Sequence, residues 1–227
     1  MSKCKKNFLR KLGIVSVISL LLITSACSSD TAGSSNDDII KIGVLASLTG
    51  PLEAYGKQTV EGFELGLEYA TDGTMEVAGK KIEFIVEDTE TQSDVAVKKA
   101  TELLEDEGVD FLVGSSSSSD TLAVLPLAEE YERIMIVEPA AADSITGEHF
   151  NPYIFRTGRN SSQDAVAGAA TIADKGVRIA TFAQDNAYGR DGIAAFIEAA
   201  EERGAEIVSE VYADPEATDF TANIQSA

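Results

Sequence analysis

From Ile39 onward, short apolar runs alternate with longer runs whose apolar residues recur every three or four positions, and this alternation admits few architectures. Residues 39–46 (IIKIGVLA), 81–87 (KIEFIVE), 109–113 (VDFLV) and 133–137 (RIMIV) read as strands. Between them, residues 57–70 place Val60, Phe63, Leu67 and Ala70 on one helical face, and residues 93–107 do the same with Val97, Ala100, Leu103 and Leu104. A third helix is expected over 120–131. Strands separated by helices of this length form βαβ units, so the fold class is α/β with a doubly wound parallel sheet covered on both faces. Periodicity breaks at 138–160, where Pro139, Gly147, Pro152 and Gly158 intervene and Tyr153–Phe155 forms at most a short strand. A second run follows: helix 162–175, strand 177–183, helix 190–203, strand 206–212, and a helix starting near Asp219 as N-cap. A sheet of two or three strands buries little. The expectation is therefore that this second unit is incomplete and the chain part of a longer protein.

The first 26 residues read as an address. Lys3, Lys5, Lys6, Arg10 and Lys11 precede an apolar run at 12–23 (LGIVSVISLLLI), followed by the small residues Thr24-Ser25-Ala26 and then Cys27. Such a run is too short to span a bilayer, which takes about 20 residues, so a signal peptide is the expectation for 1–26. Residues 28–38 (SSDTAGSSNDD) are small and polar and read as a tether. A cysteine between a secretory segment and such a tether resembles the lipobox of bacterial lipoproteins, although Thr24 stands where that motif usually has Leu. The resemblance implies lipidation at Cys27, export, and membrane anchoring through lipid alone, facing the periplasm or the cell exterior.

Loss of residues 1–26 removes five basic residues and no acids, which takes the formal charge from −20 to −25 over the remaining 201 residues. So acidic a chain lacks the clustered Lys and Arg that phosphate backbones or anionic lipid surfaces require, and nucleic acid is excluded as a partner. Cys4 would leave with the signal and Cys27 would carry lipid, so no cysteine remains for a disulfide, a metal or a nucleophile. His149 is the sole imidazole. No Gly-x-Ser-x-Gly elbow, Gly-x-Gly-x-x-Gly fingerprint or Walker loop occurs, and no cofactor is implied. The reading is a binding protein rather than an enzyme.

Ligands of open parallel sheets sit outside the carboxyl ends of the strands, which directs attention to four loops. Residues 47–56 (SLTGPLEAYG) place Tyr55 just before a helix, as an apolar wall or as cover for the sheet edge. Residues 114–121 run Gly-Ser-Ser-Ser-Ser-Ser-Asp-Thr between a strand and a helix, where hydroxyls and N–H groups at a helix N-terminus favour an anion or simply cap the helix. Residues 138–146 (EPAAADSIT) are small enough for a ligand to approach the main chain. Residues 184–192 (QDNAYGRDG) bring Tyr188 to the next helix start. Asp185, Asn186 and Asp191 in that loop lack the spacing of a calcium-binding EF-hand.

Taken in order, the strings IKIGVLASLTGPLEAYGKQTVEGFELG, FLVGSSSSSDT, IMIVEPAAADSIT, YIFRTGRNSSQDA, DNAYGRDG and DFTANI resemble the Leu/Ile/Val-binding branch of type I periplasmic binding proteins. The resemblance covers essentially all of 39–227. It implies two doubly wound lobes, 39–157 and 158–227 here, hinged around a ligand cleft and serving an ABC permease. It also implies that Ser118 binds a ligand carboxylate, that Ala140 and Ala141 offer main-chain contacts, and that Tyr55 and Tyr188 flank the ligand. Ala142 stands where amino-acid binders commonly carry a threonine hydroxyl for the ammonium group, and the acidic partner of that group would lie beyond Ala227.

The implied ligand is a branched-chain or other hydrophobic amino acid. A receptor for another small carboxylate, an amide or urea, in transport or sensing, is the nearest alternative, and an envelope α/β enzyme using residues elsewhere is the more distant one. Cys27→Ala should release the protein from the membrane fraction. Persistence of the variant in membranes after signal cleavage would dismiss the lipid anchor.

Overall fold

The structure is a computed structural model that describes residues 38–226; the expected signal segment 1–26, Cys27 and the expected tether up to residue 37 lie outside the described residues. The elements in chain order are β1 (Ile39–Ala46), α1 (Glu53–Ala70), β2 (Glu76–Val77), β3 (Lys80–Asp88), α2 (Ser93–Glu105), β4 (Phe111–Gly114), α3 (Ser118–Glu130), β5 (Ile134–Val137), a 3-10 turn (Asp143–Ile145), β6 (Ile154–Arg156), α4 (Ser161–Ile172), β7 (Arg178–Gln184), α5 (Ala187–Glu202), β8 (Glu206–Ala213) and α6 (Thr221–Ser226). None of the described helices is long and apolar enough to cross a membrane.

Six strands form one sheet in the order β2-β3-β1-β4-β5-β6, and β7 and β8 pair in parallel as a second. All neighbours of the first sheet are parallel except β2 and β3, which are antiparallel. That pairing is a hairpin the sequence pattern misses. Its two-residue strand is too short to show alternation, and its turn is Ala78-Gly79, both with positive φ, the geometry two-residue hairpins prefer. The short strand anticipated at Tyr153–Phe155 exists one residue later and closes the first sheet's edge against β5.

The core lies between β1, β4 and β5 and the helices α2 and α3. Leu45, Leu112, Met135 and Val137 from the strands meet Leu103, Val124 and Leu125 from the helices, with Ala96, Ala100 and Ala128 where the layers come closest. Helix α1 is bound more loosely. Val60, Phe63 and Leu67 are half-buried, Phe63 stacking edge-on against Phe84 at 5.5 Å, while Ala70, expected on the inner face, is exposed. A smaller cluster, Ala169, Ala173, Ala200 and Ala205, joins α4 and α5 to the second sheet.

Three helices begin two or more residues earlier than their apolar periodicity. Helix α1 starts at Glu53 rather than 57, α3 at Ser118 rather than 120, and α5 at Ala187 rather than 190. Their first turns carry Tyr55, Ser118 and Tyr188, which do not join the apolar stripe, so a period-3.6 pattern becomes visible only a turn further on. Tyr55 therefore sits inside the first turn of α1, not before it, and Tyr188 sits at the start of α5 as expected.

Leu112 is fully buried at the centre of this core. Leu112→Ala should destabilise the full-length protein by about 2–5 kcal/mol in urea unfolding, the range for a deleted core leucine. A loss well under that range would mean that the β4 layer does not carry the core.

Candidate ligand cleft

The strand order reverses at β1, whose neighbours β3 and β4 connect to opposite sides, so the loops leaving β1 and β4 part and open a crevice at their carboxyl ends. A cavity of about 400 Å³ lies there. It is bordered by Pro51, Leu52 and Tyr55 after β1, by Ser116–Ser119 after β4, and by Pro139, Ala140 and Ala141 after β5. Arg159 after β6, and Gln184, Asn186 and Tyr188 at the end of β7, complete the lining. Five of the six expected ligand-facing residues, Tyr55, Ser118, Ala140, Ala141 and Tyr188, thus line one cavity.

Ala142 does not. It is completely buried behind the wall, where its N–H donates to Ser118 Oγ at 3.1 Å and its carbonyl accepts from Arg156 Nη1 at 2.6 Å. Both main-chain groups are consumed in holding Ser118 and the β5–β6 loop, which leaves Ala142 a supporting part. The resemblance places Ala142 at the ligand, in the position of a threonine hydroxyl; here the chain turns into the 3-10 segment at this residue and carries it behind the wall.

The five consecutive serines divide the work of one short loop. Ser115 Oγ donates to the Ser117 carbonyl at 3.0 Å, and Ser116 Oγ accepts from the Ser47 N–H at 3.1 Å, which ties the loops of β1 and β4 together. Ser117 Oγ caps α3 by accepting from the Asp120 N–H. Ser118, only 5% exposed, receives the Ala142 N–H. Ser119 Oγ accepts from the Ala187 N–H at 3.5 Å, at the start of α5.

The first loop is pinned from β3. Asp88 takes the Leu48, Thr49 and Glu90 N–H groups on Oδ1 and the Thr49 hydroxyl on Oδ2. Burial alone would raise the Asp88 carboxyl, but these hydrogen bonds outweigh it and hold its pKa below the ordinary carboxylate value.

The tripeptide Ala-Tyr-Gly occurs at both tyrosines, as Ala54-Tyr55-Gly56 and Ala187-Tyr188-Gly189. A Cβ on Gly56 would lie 2.0 Å from the Ser47 carbonyl oxygen, and one on Gly189 would lie 2.0 Å from that of Gln184. Only glycine lets each helix press its first turn against the end of the preceding strand. That contact delivers the neighbouring tyrosine to the cavity rim, where Tyr55 is 60% and Tyr188 44% exposed.

Among the described residues, no group of three or more His, Cys, Asp or Glu is placed to hold a metal ion. The polar residues of the 184–192 loop have other engagements. Asp185 accepts from Arg190 Nε at 2.6 Å, Asn186 caps α5 through the Gly189 N–H, and Asp191 accepts the Ser144 N–H at 2.8 Å. Arg159 does not stand out by residue type, because one cation in a polar loop looks like ordinary surface. Its signal was position, directly before a helix start and after a strand of the first sheet.

A family described as periplasmic binding protein matches residues 39–227. The chain belongs to this family. A Leu/Ile/Val-binding protein homolog of Brucella abortus is 30% identical over 210 residues, which is 91% of this chain and 52% of the relative. A crystal structure from Rhodopseudomonas palustris, described as an ABC-type branched-chain amino acid transporter, is 53% identical with a TM-score of 0.65, covering 82% of this chain and 50% of that one. A solute-binding protein of an ABC transporter from the same species, in complex with p-hydroxybenzoic acid, is 33% identical with a TM-score of 0.74, covering 83% of this chain and 50% of its own. The chain thus spans about half the length of the relatives it matches, and its α/β architecture with a parallel sheet is that of type I periplasmic binding proteins.

Asp120 lies beneath the serine loop, 1% exposed, with Oδ1 accepting from Ser93 Oγ and Oδ2 without a hydrogen-bond partner. The nearby Thr89 hydroxyl is shared with Ser47 Oγ at 3.0 Å. Burial raises the Asp120 pKa against the lowering effect of its hydroxyl neighbours. With the folded value above the unfolded one, its stabilising contribution is complete below the unfolded pKa and is lost as pH rises through the folded pKa. Asp120→Asn should accordingly be the more stable form near neutrality, by on the order of 1 kcal/mol, with the gap closing as the buffer is acidified. Thermal melts across that range decide; a gap independent of pH would show that Asp120 does not titrate there.

Proposed function

We propose that this chain is the ligand-gripping part of an exported solute-binding protein that captures a small carboxylate with an apolar body for an ABC permease. Hydrophobic amino acids and aromatic acids both fall in that class. The observation that carries the reading is the convergence of helix N-termini. The cavity is bordered by residues at or next to the starts of α1, α3, α4 and α5, so four partial positive charges face one space.

Ser118 is the centre of the proposed grip. Its oxygen already accepts from Ala142, which leaves the hydroxyl hydrogen to donate, and acceptor-rich groups such as carboxylates are what it can meet. The first N–H groups of α3 have no partner within the helix. Ser117 Oγ occupies that of Asp120, and those of Ser118 and Ser119 are available to the same anion. Tyr55, Tyr188, Pro51, Leu52 and Pro139 supply apolar area around it. No constellation of nucleophile and base accompanies these groups in the cavity lining, and binding without turnover is the proposed role.

In this reading residues 39–157 and 158–227 belong to two lobes that close on the ligand, bringing Tyr55 and Tyr188 together from opposite sides. Among the relatives, a Leu/Ile/Val-binding protein homolog and a protein in complex with p-hydroxybenzoic acid support a carboxylate ligand for this chain. Export and lipid anchoring at Cys27 complete the proposal.

A hydrogen bond to a charged group is worth roughly 1.5–3 kcal/mol, so Ser118→Ala in the full-length protein should weaken binding by about 10- to 150-fold in calorimetry. An effect within twofold would reduce Ser118 to a structural link to Ala142 and remove the carboxylate assignment.

A further inference from the structure

We infer that Arg159 is a ligand-gripping cation that makes this cleft select organic acids lacking an ammonium group, with an aliphatic or aromatic body, over zwitterionic amino acids. This rests on the carboxylate reading above and narrows it. Arg159 is the one charged side chain among the described residues of the lining, and the cation is placed there by a built loop. Upstream, Thr157 Oγ1 donates to Glu138 Oε2 at 2.8 Å, which binds the loop to the end of β5. Downstream, Asn160 and Gln163 form a reciprocal capping box that fixes the start of α4.

The side chain itself is held from one edge. Arg159 Nε lies 2.7 Å from Asp164 Oδ2, in the first turn of α4. A guanidinium has five N–H donors in a planar fork, so this contact leaves the Nη groups for a second carboxylate, the geometry to which arginine is suited. Half of the side chain is exposed.

The same arrangement opposes an ammonium group. A cation entering the cavity meets a guanidinium and four helix N-termini. Among the described residues the nearby carboxylates have partners: Asp164 has Arg159, Asp185 has Arg190, Asp191 has the Ser144 N–H, Asp143 has the hydroxyls of Ser161 and Ser162, and Glu138 has the Thr157 hydroxyl. Ala142, at the place where a hydroxyl for an ammonium group was sought, presents neither a hydroxyl nor a free main-chain group. An acid of the same body without the ammonium group avoids that repulsion and keeps its whole negative charge for Arg159.

The test uses the full-length protein and calorimetry with two matched sets of probes: 4-methylpentanoate against L-leucine, which differ by the ammonium group, and 4-hydroxybenzoate against 4-hydroxybenzamide, which have nearly the same shape but differ in charge and in one donor group. The expected result is that in each pair the acid without an ammonium group binds at least about tenfold tighter. Arg159→Gln should weaken the acids by about 10- to 100-fold, leave the amide within about twofold, and so erase the discrimination, with Arg159→Lys recovering part of it. A variant that merely disturbed the loop would weaken acid and amide alike, and that outcome overturns the inference. Tighter binding of L-leucine than of both simple acids overturns it too while leaving the carboxylate reading intact. Amide binding equal to or tighter than that of every carboxylate overturns both, and failure of both simple acids to bind overturns the assignment to Arg159.

Discussion

Parallel pairing obliges neighbouring strands to end on the same edge of the sheet, and in this chain everything functional hangs on that obligation. β1, β4, β5 and β6 deliver their loops to one rim, and the reversal of strand order at β1 spreads two of those loops apart. The helices that follow begin at the same rim and direct their N-termini toward it. A short bond, from the Ser47 N–H to Ser116 Oγ, then sets how far the parted loops stand from each other. The cleft is thus a product of topology first and of side chains second.

The serine loop shows how little sequence diversity such a site needs. Five identical residues differ only in where the backbone places them: one turns back on the loop, one bridges to β1, one caps α3, one meets Ala142, and one reaches the start of α5. Serine is short enough to bond locally and polar enough to satisfy buried main-chain groups. The cost is concentrated at Asp120, whose Oδ2 is left alone in the interior beneath the loop.

Much of this was legible in the sequence. The strands declared themselves because buried parallel strands read as apolar runs, and βαβ spacing led from there to the sheet and to the rim where loops matter. The starts of α1, α3 and α5 were read two to four residues late, since Tyr55, Ser118 and Tyr188 face the cavity instead of the core, whereas those of α2 and α4 were legible to within a residue. β2 was hidden because two residues cannot display a period. Ala142 and Arg159 mark the other limit. The family resemblance put Ala142 at the ligand, whereas both of its main-chain groups are bonded inside the protein and only Ala140 and Ala141 border the cavity. A single arginine among polar neighbours gave no periodic signal, although its loop faces the cavity.

The acidic composition has a kinetic consequence. Exposed Glu53, Glu61, Glu64 and Glu68 line the outside of α1, and the chain as a whole carries a formal charge of −20. A small anion diffusing toward the cleft climbs a repulsive potential before it comes within reach of Arg159. Near physiological ionic strength that potential is screened over about 8 Å, and in dilute buffer it extends several times further. Added salt therefore speeds encounter with such a ligand while weakening its hold once bound, so that association and dissociation both quicken and the affinity changes less than either rate.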